Sequence, residues 1–75
     1  MKLKQVLPKD LLKVLFKLGF EIKRRKGSHV FIERTKDGKI FATSISIHNE
    51  PFPKGTLKGI LTQSDVNEEE VIALL

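Results

Sequence analysis

Four consecutive cations, Lys23-Arg24-Arg25-Lys26, run into Gly27-Ser28 and then His29, one of only two histidines in the chain. Lysine and arginine attract a polyanion with little regard to its sequence, and imidazole is the side chain whose unperturbed pKa lets it take or give a proton near neutrality. A phosphate clamp beside a proton-transfer group points to chemistry on RNA. There the 2′-hydroxyl is a built-in nucleophile, needing a base for its proton, an acid for the leaving oxygen and cations for the phosphorane charge. His29 can make one of these transfers and Lys23, Arg24, Arg25 or Lys26 can supply the charge, without a metal. His48 is a candidate for the second transfer or for a phosphate contact, and which histidine takes which role stays open. A histidine before a turn often does no more than bond to backbone, and Ser28 reads as a turn residue because no His-Asp relay surrounds it.

Other chemistries lack their residues. Asp10, Glu21, Glu33, Asp37 and Glu50 are dispersed over different elements, so no obvious pair offers the shared carboxylates of a magnesium-dependent nuclease or a glycosidase. Two histidines and no cysteine argue against zinc, and no glycine-rich nucleotide loop is present. Neither a metal nor a small-molecule cofactor is expected.

The 75 residues read as one domain, 1–75, able to bury only about 60% of the surface its unfolded chain exposes. Without cysteine it must rest on packing alone, as is usual in a reducing cytosol. No stretch approaches the roughly 20 apolar residues of a membrane span, and the lysine-bearing start lacks the apolar segment of a signal peptide. The expectation is a soluble, cytoplasmic protein. Its net charge of +5 hides an asymmetry: all 14 cations lie at or before Lys58, while Asp65, Glu68, Glu69 and Glu70 follow with no cation among them. The basic part should therefore face the partner. Scattered Lys2, Lys4, Lys9, Lys13 and Lys17 need no role beyond solubility.

The elements that must position these groups read as a helix, three strands and two short helices, an α+β fold. Leu7-Pro8-Lys9-Asp10 is a helix entry, with Pro8 at the first helical position where its missing N–H costs nothing and Asp10 near the positive end. Leu11, Leu12, Leu15, Phe16 and Leu18 recur at helical spacing as a core stripe, and Gly19 supplies a left-handed stop. From Phe20 the period switches to two. Gly27-Ser28 makes the first turn, Val30 to Arg34 the second strand, Asp37-Gly38 a hairpin turn and Ile40 to Ile47 the third strand, giving an antiparallel meander.

If Asp37-Gly38 is a two-residue loop, Lys36 faces Lys39, His29 faces Ser46, and His48 lies one diagonal step away. Val30 and Ile32 then share one face with Phe41, Thr43, Ile45 and Ile47. His29, Phe31, Ala42, Ser44, Ser46 and His48 share the other, and the clean segregation supports the register. The same test applied to the first hairpin calls for about a three-residue loop, which puts Ile22 on the apolar face and Lys23 and Arg25 on the histidine face. Phe31 either stacks on an unpaired base or is covered by chain or partner.

After Pro51-Phe52-Pro53, the residues Leu57, Ile60 and Leu61 give a second helix. Its Gly55 and Gly59 suggest close approach of backbone to sheet or ligand, and Lys54 and Lys58 at the same spacing add candidate phosphate contacts. Asn67 with Glu70 three residues on reads as a capping box opening the last helix, whose Val71, Ile72, Leu74 and Leu75 are apolar. Its acidic first turn suits the helix dipole.

Lys26-Gly27-Ser28-His29, the Asp37-Gly38 turn, Ile47-His48-Asn49 and Lys54-Gly55-Thr56-Leu57 followed by Ile60-Leu61, in that order and spacing, resemble the HicA (YcfA-like) family of toxins. The likeness runs from Pro8-Lys9-Asp10-Leu11-Leu12 and Leu18-Gly19-Phe20-Glu21 to the last helix. It implies a fold similar to the double-stranded RNA-binding domain, α-β-β-β-α with a three-stranded antiparallel meander and helices on one face. It also implies the toxin of a type II toxin–antitoxin pair, an endoribonuclease that cleaves mRNA until a HicB-type antitoxin blocks its site. The family's catalytic histidine falls on His29. RNA contacts would come from Lys23, Arg24, Arg25, Lys26, Gly27, Ser28, Phe31, His48, Lys54 and Lys58. Many relatives carry proline where this chain has Ser46, and some place a second histidine at Val30. The competing reading, on the same basic surface, is a module that binds RNA through phosphate and 2′-hydroxyl contacts without cutting it. A third is an interaction protein whose basic face meets an acidic partner.

Overall fold

The computed structural model describes residues 6–75, apart from the side chain of Lys54; Lys2 and Lys4 lie outside the described residues. The elements are α1 (Pro8–Lys17), β1 (Glu21–Lys26), β2 (His29–Lys36), β3 (Lys39–Ser46), α2 (Lys54–Ser64) and α3 (Glu68–Leu74). The three strands form one antiparallel sheet in the order β1-β2-β3.

Local chemistry sets most of the boundaries. Pro8 opens α1, as its fixed φ and missing N–H allow. At the other end the Phe20 N–H bonds to the Leu15 carbonyl and the Gly19 N–H to that of Phe16, with Gly19 at φ +100°. These are the paired bonds of a Schellman stop. Asn67 and Glu70 close a capping box: the Glu70 N–H donates to Asn67 Oδ1 at 2.9 Å and the Asn67 N–H to Glu70 Oε1 at 3.2 Å. Within α1 the buried residues are Pro8, Leu11, Val14 and Leu15. Leu12 and Leu18 pack at the margin of the core, whereas Phe16, expected in the stripe, is 42% exposed. Val14 takes its place because i, i+3, i+4 and i+7 from Leu11 define the buried line.

Asp37 (φ 53°) and Gly38 (φ 77°) both have positive φ, as a type I′ hairpin turn requires. The register of β2 with β3 runs without a break from Lys36↔Lys39 to His29↔Ser46. Val30, Ile32, Thr43 and Ile45 are consequently buried on the inner face, joined in one core by Leu11, Val14 and Leu15 of α1, Ile60 and Leu61 of α2 and Val71 of α3. Two polar groups lie at this face. Thr43 Oγ1 donates to Gln63 Oε1 at 2.7 Å and ties β3 to α2. Arg34 Nη1 donates to the Leu18 carbonyl at 2.7 Å, with its guanidinium 4.9 Å from the Phe20 ring centroid. Arg34 Nε and Nη2 are buried with no hydrogen-bond partner among the described residues. One cation thus sits against the carbonyl end of α1, where the helix dipole favours it.

The first hairpin departs from expectation. Its loop has two residues, with Lys26 paired to His29, and the ladder slips by one between Ile22 and Arg24. Lys23 is the extra residue of a β-bulge. A tight turn with unbroken alternation would have carried Ile22 to the outer face. Inserting Lys23 restores Ile22↔Ile32, although Ile22 remains 43% exposed at the sheet edge. The price is the placement of Arg25, which pairs with Val30 on the inner side rather than joining the histidine face. Gly27, at φ +59°, supplies the positive φ that a tight turn needs at its first central position.

The expectation that Gly55 and Gly59 mark close approach of α2 to the sheet also fails, because a Cβ at either position meets nothing within 4 Å. Gly59 is interior to a helix and unobstructed, so Gly59→Ala should raise the unfolding free energy by about 1 kcal/mol. Gly19→Ala, at a left-handed position, should lower it by about 1–2 kcal/mol. Urea denaturation of the two variants beside the native chain checks both signs.

Candidate functional site

His29 is the first residue of β2 and exposed. The Ile47 N–H donates to the Ser28 carbonyl at 2.8 Å, marking 28 and 47 as a hydrogen-bonded pair one step beyond His29↔Ser46. Antiparallel ladders alternate, so His29 and Ser46 form a non-hydrogen-bonded pair, the kind whose side chains stand closest. Ser46 Oγ and His29 Nδ1 are accordingly 2.9 Å apart. On its other flank His29 faces Lys26 of β1. His29 therefore stands in the sheet between Lys26 of β1 and Ser46 of β3.

Beyond Ser46 the chain leaves the sheet and turns back through Asn49 to Pro53 before entering α2. This segment is held by the Phe52 N–H donating to the Val6 carbonyl at 3.4 Å and by the Phe52 side chain packing on the core. Between it and the sheet lies a cleft of about 450 Å³ lined by His29, Ser44, Ser46, His48, Phe52 and Thr56 among others. Both histidines open into it. The floor is apolar at Pro8, Phe52 and Ile60 and polar at the rim, with Glu50 the lining carboxylate. Such a mix accommodates a planar ring against the floor and polar groups at the mouth.

The cations divide. Lys23 lies 3.5 Å from Glu21 and 3.6 Å from Glu33, so two carboxylates offset part of its charge. The Arg24 guanidinium sits 4.5 Å from the centroid of the Phe31 ring. Phe31 is half-buried, and its cover is this guanidinium from the neighbouring strand, which an incoming base would meet first. Lys26 is exposed opposite His29, and Arg25 is exposed on the other face. Gly27 and Ser28 form the turn between them. On α2, Lys58 is exposed and is not part of the cleft lining, while the Lys54 side chain lies outside the described residues. Among the described residues no three His, Cys, Asp or Glu side chains gather as a metal site.

Residues 8–66 match the family described as the HicA toxin of bacterial toxin–antitoxin systems. The chain belongs to the HicA toxin family. That assignment carries a toxin role and implies an antitoxin as its counterpart. The HicA match takes in α1, the whole sheet and α2, hence every residue of the cleft; α3 lies beyond it. No curated protein matches the chain. Among the described residues no helix is long and apolar enough to cross a membrane.

The residues that sequence reading passed over are the cleft's far wall: Pro51, Phe52, Pro53, Thr56 and Ile60. The one available signal was Pro51-Phe52-Pro53, an aromatic ring between two residues of restricted φ, beginning three residues after His48. Because Phe52 pins this wall to the core, Phe52→Ala should leave the sheet intact, cost about 1–2 kcal/mol, and speed hydrogen exchange of the residue 52 amide, which bonds to the Val6 carbonyl, well above its effect on β2. Native-state exchange by NMR would show the contrast; equal acceleration in both regions would contradict it.

Proposed function

We propose that the chain is the endoribonuclease of a HicA-type toxin–antitoxin pair, cleaving mRNA at the His29 cleft by metal-independent attack of the 2′-hydroxyl. The observation that carries this reading is the convergence of His29 and His48 on one cleft, with Lys26 directly across the ladder from His29. In-line cleavage needs a proton acceptor at the 2′-oxygen, a proton donor at the 5′-oxygen and positive charge at the non-bridging oxygens. His29 acts as base or acid and Lys26 offsets the phosphorane charge, with Arg24 and Lys23 extending the basic track along the outer face. His48, in the lining of the same cleft, would take the complementary transfer or a phosphate oxygen. The apolar floor at Phe52 suits a base lifted out of its stack, which is how proteins read single-stranded RNA. A HicB-type antitoxin would silence the enzyme by covering this cleft, and an acidic surface is the natural complement to so basic a face.

The second reading, an RNA-binding module without catalysis, draws on the same basic face and on the exposure of His29. The two part company on His29. In excess chelator the native chain should cut mixed-sequence RNA, and His29→Ala should reduce the rate by about 10²–10⁴-fold with circular dichroism unchanged. Intact RNA bound equally by both folded proteins would favour the binding module. Faces can be separated in the same assay: Lys26→Ala should weaken binding and cleavage, while Arg25→Ala, on the opposite side of the sheet, should leave both close to native. Expression of the intact chain should be tolerated only beside its antitoxin, and harmless expression alone would count against a toxin.

A further inference from the structure

The working nitrogen of His29 is fixed by its neighbour across the ladder. Imidazole has two chemically distinct nitrogens, and the bond made by one decides the protonation of the other. Here Nδ1 is 2.9 Å from Ser46 Oγ, so Nε2 is the nitrogen left for substrate. The contact follows from the backbone, since His29↔Ser46 is a pair in a ladder unbroken back to the Asp37-Gly38 turn. We propose that Ser46 is the positioning residue of His29, holding its ring through Nδ1 so that Nε2 performs the proton transfer; this rests on the ribonuclease reading above.

A hydroxyl suits a group that must change protonation state. Serine both donates and accepts. When His29 is a base, Nδ1–H donates to Ser46 Oγ and the Nε2 lone pair takes the 2′-hydroxyl proton. The resulting imidazolium carries protons on both nitrogens, and Nδ1–H still donates to Oγ, so the ring keeps its place. When Nε2–H is the resting tautomer, the hydroxyl rotates and donates to Nδ1, and the ring again stays put. Val30, the next residue of β2, is buried and apolar and offers the ring no such partner.

The test is paired. Ring nitrogen shifts of the neutral His29 imidazole, read by long-range proton–nitrogen NMR, should show a hydrogen-bonded Nδ1 in the native chain, a solvent-like Nδ1 in Ser46→Ala, and the native pattern again in Ser46→Thr. In steady-state cleavage of RNA under chelator, Ser46→Ala should lower kcat about 10- to 100-fold with KM unchanged, and Ser46→Thr should restore most of it. Unaltered His29 nitrogen shifts in folded Ser46→Ala, or native kcat in that variant, would overturn the proposal. A native chain that cuts no RNA would overturn the ribonuclease reading and the catalytic part of this one, and the NMR comparison would still decide whether Ser46 sets the ring.

Discussion

The pairing of β2 with β3 is the constraint on which everything else rests. It starts at a turn whose two residues both take positive φ and continues unbroken for eight pairs. Because side chains alternate with a period of two, a slip of one residue would exchange the faces, sending Val30, Ile32 and Ile45 to water and His29 and Ser46 into the core. Burial of those apolar residues against three helices therefore does more than stabilise the fold. It fixes which histidine stands across the ladder from which serine.

The neighbouring hairpin shows the same constraint met by different means. There the tight Gly27-Ser28 turn and the demand that Ile22 pair with Ile32 are out of phase, and the conflict is resolved by the bulge at Lys23. Bulges sharpen local twist and disrupt regular pairing. Placed on an edge strand that is cationic from Lys23 to Lys26, this one also makes β1 a poor template for another strand, since like charges and an irregular edge both oppose it. A second consequence is electrostatic: phase reversal below the bulge sends Arg24 and Lys26 to the histidine face and Arg25 away from it.

The outer face gains order from contacts that are individually weak. Arg24 over Phe31 and Lys23 between two glutamates are exposed interactions, each contributing on the order of 1 kcal/mol or less. Their value lies in direction: they hold long side chains along the outer surface of the sheet and restrict their rotamers. Arg34 is the inward counterpart, a cation held at the carbonyl end of α1 and against Phe20, with part of its guanidinium buried and without a partner among the described residues.

Local signals in the sequence determined the element order, the Pro8 entry, the Gly19 stop, the Asn67 cap, the Asp37-Gly38 turn and, through strict alternation, the histidine–serine pairing. Each of these depends on residues a few positions apart or on one uninterrupted count. What only the tertiary structure decided lies where two such counts compete or where distant segments meet. The bulge at Lys23 arises from two local preferences that cannot both be met, and no single-strand pattern says which residue is displaced. The cleft wall at Phe52 and Thr56 is set by how α2 docks on β3, a matter of packing across the core rather than of periodicity. Glycines at 55 and 59 read as signs of close contact, yet the docked helix leaves both open to solvent, because crowding at a helix face is a property of its neighbours and not of its own sequence.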